Sequence, residues 1–356
     1  MARSDNSPTR VTKTLAGSDR AHNASSNQPG KPAVLIRRAR LEDEPHIREF
    51  TRNTFEWGDY VADAFPEWLE NGYDVYVAEV DGIPVGVTCV AYYAEDEAWF
   101  QGIRVKQEMR RMGIASKLTE ASIAAARERG VRLCRAHIDA DNYKSQGLAT
   151  TMGFHKAATI AEFTVRVAGN VSAVPDGSAH EAIEVTTITH EKAGDLFEAA
   201  SKEVHYIGCE YVWLTFNRKN FIQAATENVL LVARDEIGRT LAGGLMSNLY
   251  VEDHIHTGPA EEESGERQHT GNEEAYLCAA LGSLFGTVEG MVAIIRHALK
   301  LLHAEAAKRS ITPGELFVAI ESANPAAGEI LGYSRQAGLD MQVHGETGLW
   351  ELKFSE

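Results

Sequence analysis

One order of elements runs twice along this chain, and that repetition constrains the fold more than any single motif. From 33 to 167 the residues alternate between the periods of strands and helices. "AVLIRRA" (33–39) reads as a strand, and "LEDEPHIREFTRNTF" (41–55) and "DAFPEWLENG" (63–72) as helices. "YDVYVAEVDGIPVGVTCVAYY" (73–93) is a hairpin, two β-rich runs around Asp81-Gly82. A strand at 97–105, a helix at 114–130 stopped by Gly130, a strand at 132–138, a helix at 143–153 and a strand at 156–167 complete the run. After "AGNVSAVPDGSAH" (168–180), which has linker composition, the order restarts. Strand 183–188, helix 190–204, hairpin 229–250, strand 275–285, helix 291–310, strand 315–324 and helix 325–338 follow, with final pieces at 339–345 and 348–354. "HIDADN" (137–142) matches "AIESAN" (319–324), and "YVAEVDGIPVGV" (76–87) matches "LVARDEIGRTLAGGL" (231–245). Matches in the same order within the same series of elements argue for duplication. The expectation is α/β, with a tail at 1–32, a first domain at 33–168, a linker at 169–180 and a second domain at 181–356.

Composition narrows the class. The chain has 356 residues, 44% hydrophobic and 24% charged, which suits globular domains and neither a disordered nor a membrane chain. The reading is cytoplasmic, with no apolar stretch long enough for a bilayer and no signal-peptide core. Cys89, Cys134, Cys209 and Cys278 are scattered, and read as reduced, buried thiols. The net charge is −16, although residues 1–32 carry five Lys/Arg against two Asp/Glu. Such a surface repels nucleic acid and anionic lipid and favours a cationic partner such as an amine. The insertion at 252–274 holds eight acids and one arginine. Its His254, His256 and His269 are too loosely spaced for a metal site, and none is expected.

"RVKQEMRRMGIASKL" (104–118) joins a strand to a helix through Arg-x-x-Gly-x-Ala. The first amides of a helix lack internal acceptors and sit at the positive end of its dipole. Gly113 permits close approach of backbone, Ala115 leaves room, Ser116 adds a hydroxyl, and Arg110 and Arg111 add charge. A pyrophosphate suits that corner; a glycine kept for packing beside solvated arginines is the alternative.

This segment resembles the acyl-CoA motif of the GNAT N-acetyltransferase superfamily, matching it at Arg110, Gly113 and Ala115. The family's downstream segment is matched in "NYKSQGLATTMGF" by Asn142, Ser145, Gly153 and Phe154. The resemblance implies two GNAT-like domains, each a mixed, mostly antiparallel sheet flanked by helices. It implies acetyl-CoA, or a related acyl-CoA, as co-substrate, its diphosphate lying on the amides of Arg111, Met112, Gly113, Ile114, Ala115 and Ser116. The pantetheine arm would follow Ile103 and Val105 between splayed strands, with Asn142 and Ser145 alongside, and the Val105 amide would polarise the thioester.

Catalytic candidates are less distinct. The acid that the family uses, a tyrosine, is replaced by Ala149. Glu97, on the strand of Trp99 and Gln101, and His137, on the neighbouring strand, are candidate bases; a solvated acid and a structural histidine are the alternatives. Trp57, Tyr60, Phe65 and Trp68 form an aromatic cluster suited either to an amine-bearing acceptor or to core packing. The second run departs from the motif at Thr287 and Glu289, yet keeps Asn324 and, near the tyrosine position, Tyr333, the third catalytic candidate. The expected activity is acetyl transfer to a primary amine of a small, cationic molecule by direct attack, in a monomer or homodimer with a degenerate second domain. A non-catalytic acyl-CoA sensor and a peptide or protein N-acetyltransferase are the competing readings.

Overall fold

The hairpin is where the pattern places it. In the computed structural model β2 (Asp74–Val80) and β3 (Ile83–Ala94) run antiparallel, and Asp81 and Gly82 turn with φ of 51° and 81°. That is the left-handed pair a two-residue hairpin needs. The structure describes residues 33–52, 54, 59–166, 183–208, 211–252 and 275–354. The tail at 1–32, Trp57, the 169–180 linker, Cys209, and the acidic insertion from 253 with its three histidines lie outside them.

Around the hairpin stand β1 (Leu35–Arg38), α1 (Glu44–Thr51), α2 (Val61–Glu70), β4 (Glu97–Val105), α3 (Ile114–Glu128), β5 (Leu133–Asp139), α4 (Tyr143–Thr151) and β6 (His155–Arg166). The second run opens with β7 (Glu184–Ile188), α5 (Ala193–Ala200), β8 (Tyr206–Ile207), β9 (Leu214–Thr215) and α6 (Arg218–Glu227). It continues through β10 (Val229–Arg234), β11 (Thr240–Met246), β12 (Tyr250–Glu252), β13 (Tyr276–Gly286), α7 (Val288–Arg309), β14 (Thr312–Glu321), α8 (Ile330–Gln336) and β15 (Asp340–Lys353). The pieces expected at 339–345 and 348–354 are one strand. The break expected near Gly345 is a bulge in the β15–β6 ladder.

The two runs do not close separate sheets. They share one of thirteen strands among the described residues, ordered β1-β2-β3-β4-β5-β15-β6-β14-β13-β11-β10-β7, with β12 beside β13. The order is palindromic in direction as well. β4·β5 and β13·β14 are parallel, the other pairs are antiparallel, and β15·β6 is the centre. β15 therefore stands beside β5 of the first run, while β6 stands beside β14 of the second.

Side-chain alternation gives the sheet two buried faces. On one, Ile47, Val61, Phe65 and Trp68 of α1 and α2 pack on Val75, Val77, Val87 and Cys89. On the other, Ile114 and Leu118 of α3 cover Ala78, Val80 and Val85. The largest core lies under α7, whose Met291, Ile294, Ile295, Leu299 and Leu302 meet β11, β13 and β14. The described cysteines, Cys89, Cys134 and Cys278, are buried and lie outside any disulfide, and burial pushes the thiols of Cys89 and Cys134 up to about 12. No described helix is long and apolar enough to cross a membrane.

Candidate functional site

Parallel strands β4 and β5 pair from Glu97–Leu133 to Phe100–Ala136 and then part. Beyond that point β4 runs on to Val105 and β5 to Asp139. The cause lies on the β3 side. Gly102, at φ 67°, sits in a register shift of the β3–β4 ladder, which turns β4 away. Past the bulge, two carbonyls of β4 accept from side chains: Ile103 from Arg104 Nη1 at 3.1 Å and Val105 from Arg110 Nε at 3.2 Å. The cleft thus keeps main-chain groups that no strand has taken.

At the outer end of this cleft β4 turns into α3. Arg111 (φ 63°) and Gly113 (φ 77°) are both left-handed, a curl that aims successive amides into one concavity. Gly113 is the N-cap of α3, the helix start carries no side-chain cap, and its first turn holds no acid. A Cβ at Gly113 would meet nothing within 4 Å. Arg110, Arg111 and Gly113 are exposed, Met112, Ala115 and Ser116 are half-buried, and Ile114 is buried as the anchor of the turn. Open amides, left-handed curl and two arginines fit a diphosphate.

The corresponding corner of the second run is closed. Thr287 caps α7, its hydroxyl taking the Gly290 amide at 3.2 Å. A Cβ at Gly290 would lie 2.7 Å from that of Ala242, so the helix start is pressed onto β11. Glu289 occupies the first turn, and its hydrogen bond to Tyr333 raises that phenol above its ordinary value. Tyr333 thus stands at the α7 corner, in the other run from Glu97 and His137.

Glu97 is buried at the far end of β4, roughly 25 Å along the strand from Val105. Its carboxylate accepts from Arg135 and from the Thr215 amide at 3.1 Å. Arg135 also donates to Glu351 at 2.9 Å and to the Thr215 hydroxyl at 2.7 Å. The β8–β9 segment lies over this cluster, with Trp213 fully buried against Trp99 and Ile160. Asn142 is the N-cap of α4 and takes the Ser145 amide at 3.1 Å, which commits its carbonyl oxygen to the helix. Ala149 is buried among Ile138, Phe154 and Ala126.

His137 is the first residue of β5 past the last β4 pair, so it stands beside the cleft on the face of α1 and α2. There it meets two residues that sequence reasoning missed. Thr347 of β15 bonds His137 Nε2 through its hydroxyl, and the same hydroxyl donates to Glu162 Oε1 of β6 at 3.1 Å. His137 Nε2 lies 3.6 Å from that oxygen. Burial lowers His137 to about 4, so it is neutral near pH 7. Burial raises Glu162 to about 7, opposed by the Thr347 bond and aided by the charge of Asp139. No spacing relates residues 137, 162 and 347; only the place of β15 between β5 and β6 does. The wall of the cleft on this face is aromatic: Tyr60 and Trp68 meet edge to face at 6.2 Å, and Arg104, paired with Asp59 at 2.6 Å, lies 5.6 Å from the Tyr60 ring centre. Phe65 of α2 is fully buried against the sheet.

Comparison with known proteins agrees with this geometry. The model of the acetyltransferase (GNAT) family matches residues 40–154. A Bacillus subtilis (strain 168) protein is 30% identical over 125 residues, 35% of this chain and 82% of that protein; its name, ribosomal protein bS18-alanine N-acetyltransferase, is itself provisional. Two solved structures share the fold across both runs. A GCN5-related N-acetyltransferase from Sphaerobacter thermophilus superposes with a TM-score of 0.53 at 15% identity, over 90% of this chain and 95% of that one. The glucosamine N-acetyltransferase region of a fungal multi-domain β-N-acetylglucosaminidase gives 0.56 at 14%, over 91% of this chain and 38% of that one. With its cleft, its open helix start and these relatives, the chain belongs to the acetyltransferase (GNAT) family and is an acyltransferase of that type.

Proposed function

We propose that the chain transfers an acetyl group from acetyl-CoA to a primary amine by direct attack, using the cleft between β4 and β5. The observation that carries this reading is the contrast between the two helix starts. The α3 corner has free amides and open space at Gly113, whereas the α7 corner is capped by Thr287 and carries Glu289. In this reading the diphosphate lies on the amides from Arg111 to Ser116, and the pantetheine follows Ile103 and Val105. Bringing thioester and amine together in one cleft supplies much of the rate by orientation, and an amide at Val105 polarises the thioester carbonyl. Glu97 serves as the buried counter-charge of Arg135 rather than as the base.

The second run is a diverged copy of the first. The palindromic sheet supports this, as does the matching use of Asn142 and Asn324, each of which caps the turn after its strand. Its role is to complete the first site, since β15 and the β8–β9 segment both lie on the strands that form it.

Thermal denaturation with CoA, acetyl-CoA and longer acyl-CoA esters tests the reading. The wild-type protein and Thr287→Ala are expected to be stabilised alike, and Gly113→Glu not at all. A ligand shift that survives Gly113→Glu and is lost in Thr287→Ala would transfer the site to the second run. For the acceptor, small polyamines and amino sugars are the first choice. A peptide beginning with alanine is the second, favoured by the name of the Bacillus relative.

A further inference from the structure

Apart from Glu321, which takes two backbone amides and His205, the buried acids among the described residues come with arginines: Asp43 with Arg37, Asp74 with Arg38 and Arg129, Glu97 and Glu351 with Arg135, Glu315 with Arg166. Glu162 does not. Its one ion-pair partner among the described residues is the imidazole of His137, and its hydrogen bond comes from a neutral hydroxyl. Its side chain is 19% exposed, so the carboxylate is enclosed without being sealed. The bonds run one way. With the Thr347 hydroxyl donating to Glu162 Oε1, His137 Nε2 must carry the hydrogen that Thr347 accepts. That one hydrogen bond falls on Oε1 and leaves the second oxygen of Glu162 to a substrate. The nearest other acid, Asp139, is paired with Thr347 in the strand register and faces the same side.

We propose that Glu162 is the proton acceptor for a cationic amine substrate, with Thr347 and His137 as positioning residues, so that β5, β6 and β15 together build the acceptor half of the site. This rests on the reading that acyl-CoA occupies the β4–β5 cleft. The enclosed carboxylate lacks a cation, and an alkylammonium supplies one. One proton of the ammonium passes to the free oxygen of Glu162. The nitrogen lone pair then forms the bond to the thioester carbonyl carbon, the carbon–sulfur bond breaks, and sulfur leaves with the electron pair. The second proton on nitrogen goes to that sulfur, which stands in for the acid absent at Ala149. The proton on Glu162 returns to solvent. The environment of Glu162 suits the task, because a base works best when its proton affinity lies near the working pH. Burial sets this affinity first, then the Thr347 bond and the charge of Asp139, which is itself moderated by His344 of β15 and Arg104 of β4; His137 faces the carboxyl at 3.6 Å, and Glu321 of β14 lies beside the same stretch of β6.

The test is thiol release from acetyl-CoA by the full chain, with spermidine, glucosamine and an alanine-initiated tetrapeptide as acceptors, between pH 5.5 and 9. The best acceptor is expected to give a wild-type kcat that rises with pH about a midpoint near 7. Glu162→Gln should lower kcat by at least about 100-fold and flatten that profile, with the acetyl-CoA thermal shift unchanged. Glu162→Asp should restore part of the rate, which excludes misfolding as the cause. Thr347→Val should lower kcat about 10-fold and move the midpoint, and Thr347→Ser should recover both. A Glu162→Gln enzyme with wild-type rate and profile overturns the proposal, as does an acetyl-CoA shift with no transfer to any of the three amines. Loss of the acetyl-CoA shift in the wild-type protein overturns the underlying reading instead.

Discussion

The indole of Trp68 stands where a side chain of residue 102 would be: a Cβ on Gly102 would lie 2.4 Å from Trp68 Cη2. The bulge that opens the cleft and the aromatic wall that lines it are thus one unit. Gly102→Ala must push Trp68 out of place and adopt a left-handed backbone with a side chain. The expected cost is about 2–4 kcal/mol, read as a lower urea midpoint. Acetyl-CoA binding should weaken with it, because the parting of β4 from β5 depends on this turn.

Gly113 and Gly290 open equivalent helices, but they answer to different constraints. Gly113→Ala meets empty space and bears only the left-handed φ, so it should cost on the order of 1–2 kcal/mol. Gly290→Ala drives a methyl group into Ala242 and should cost more, about 1–3 kcal/mol from overpacking alone with further loss from displaced β11. Paired denaturation curves decide; equal and small effects would contradict the closed α7 corner.

Arg135 is the arginine partner of two buried acids, Glu97 and Glu351. Arg135→Met leaves Glu97 with the Thr215 amide and Glu351 with the longer Lys353 contact at 3.5 Å, and should destabilise the fold by about 3–5 kcal/mol. Glu97→Gln should also lower stability while leaving kcat within a few-fold of wild type at temperatures where the variant is folded. A large loss of kcat with full stability would restore Glu97 as the base.

The pH dependence of stability separates His137 from Glu162. The folded Glu162 holds its proton up to about 7, against an ordinary 4.5, so its contribution is greatest below 4.5 and is lost as pH rises through 7. His137 is the reverse: lowered from 6.5 to about 4, it contributes above 6.5 and loses that as pH falls through 4. Between 4.5 and 6.5 the two oppose. Relative to wild type, Glu162→Gln should become less stable on acidification across this window, and His137→Gln more stable. Differences of about 1–3 kcal/mol are expected in urea titrations.

Local elements and the α3 corner were legible in the residues, because each depends on neighbours in sequence. Strand β4 starts at Glu97 and ends at Val105 as the alternation indicates, and the turn at Asp81-Gly82 is dictated by two left-handed residues. The segment from 205 to 228 gave little signal, since β8 and β9 are two residues each and their stability comes from lying on the sheet. Glu162 and Thr347 were invisible for a stronger reason. Their contact arises from a strand crossing into the other run, and nothing in the spacing of 162 and 347 records that. The face of Glu97 was legible from alternation, whereas its ion pair with Arg135, thirty-eight residues away, was not.

β15 is the last described strand of the chain, yet it lies at the middle of the sheet, with β5 on one side and β6 on the other. During synthesis β5 emerges some two hundred residues before its neighbour exists, and the polar edge it presents must wait. Closing so long a loop is slow, and exposed strand edges invite pairing with other chains. Arrest of synthesis after β6 and before 340 would leave a fragment that includes α3 and its corner but has no Thr347 beside His137 and cannot finish its own sheet.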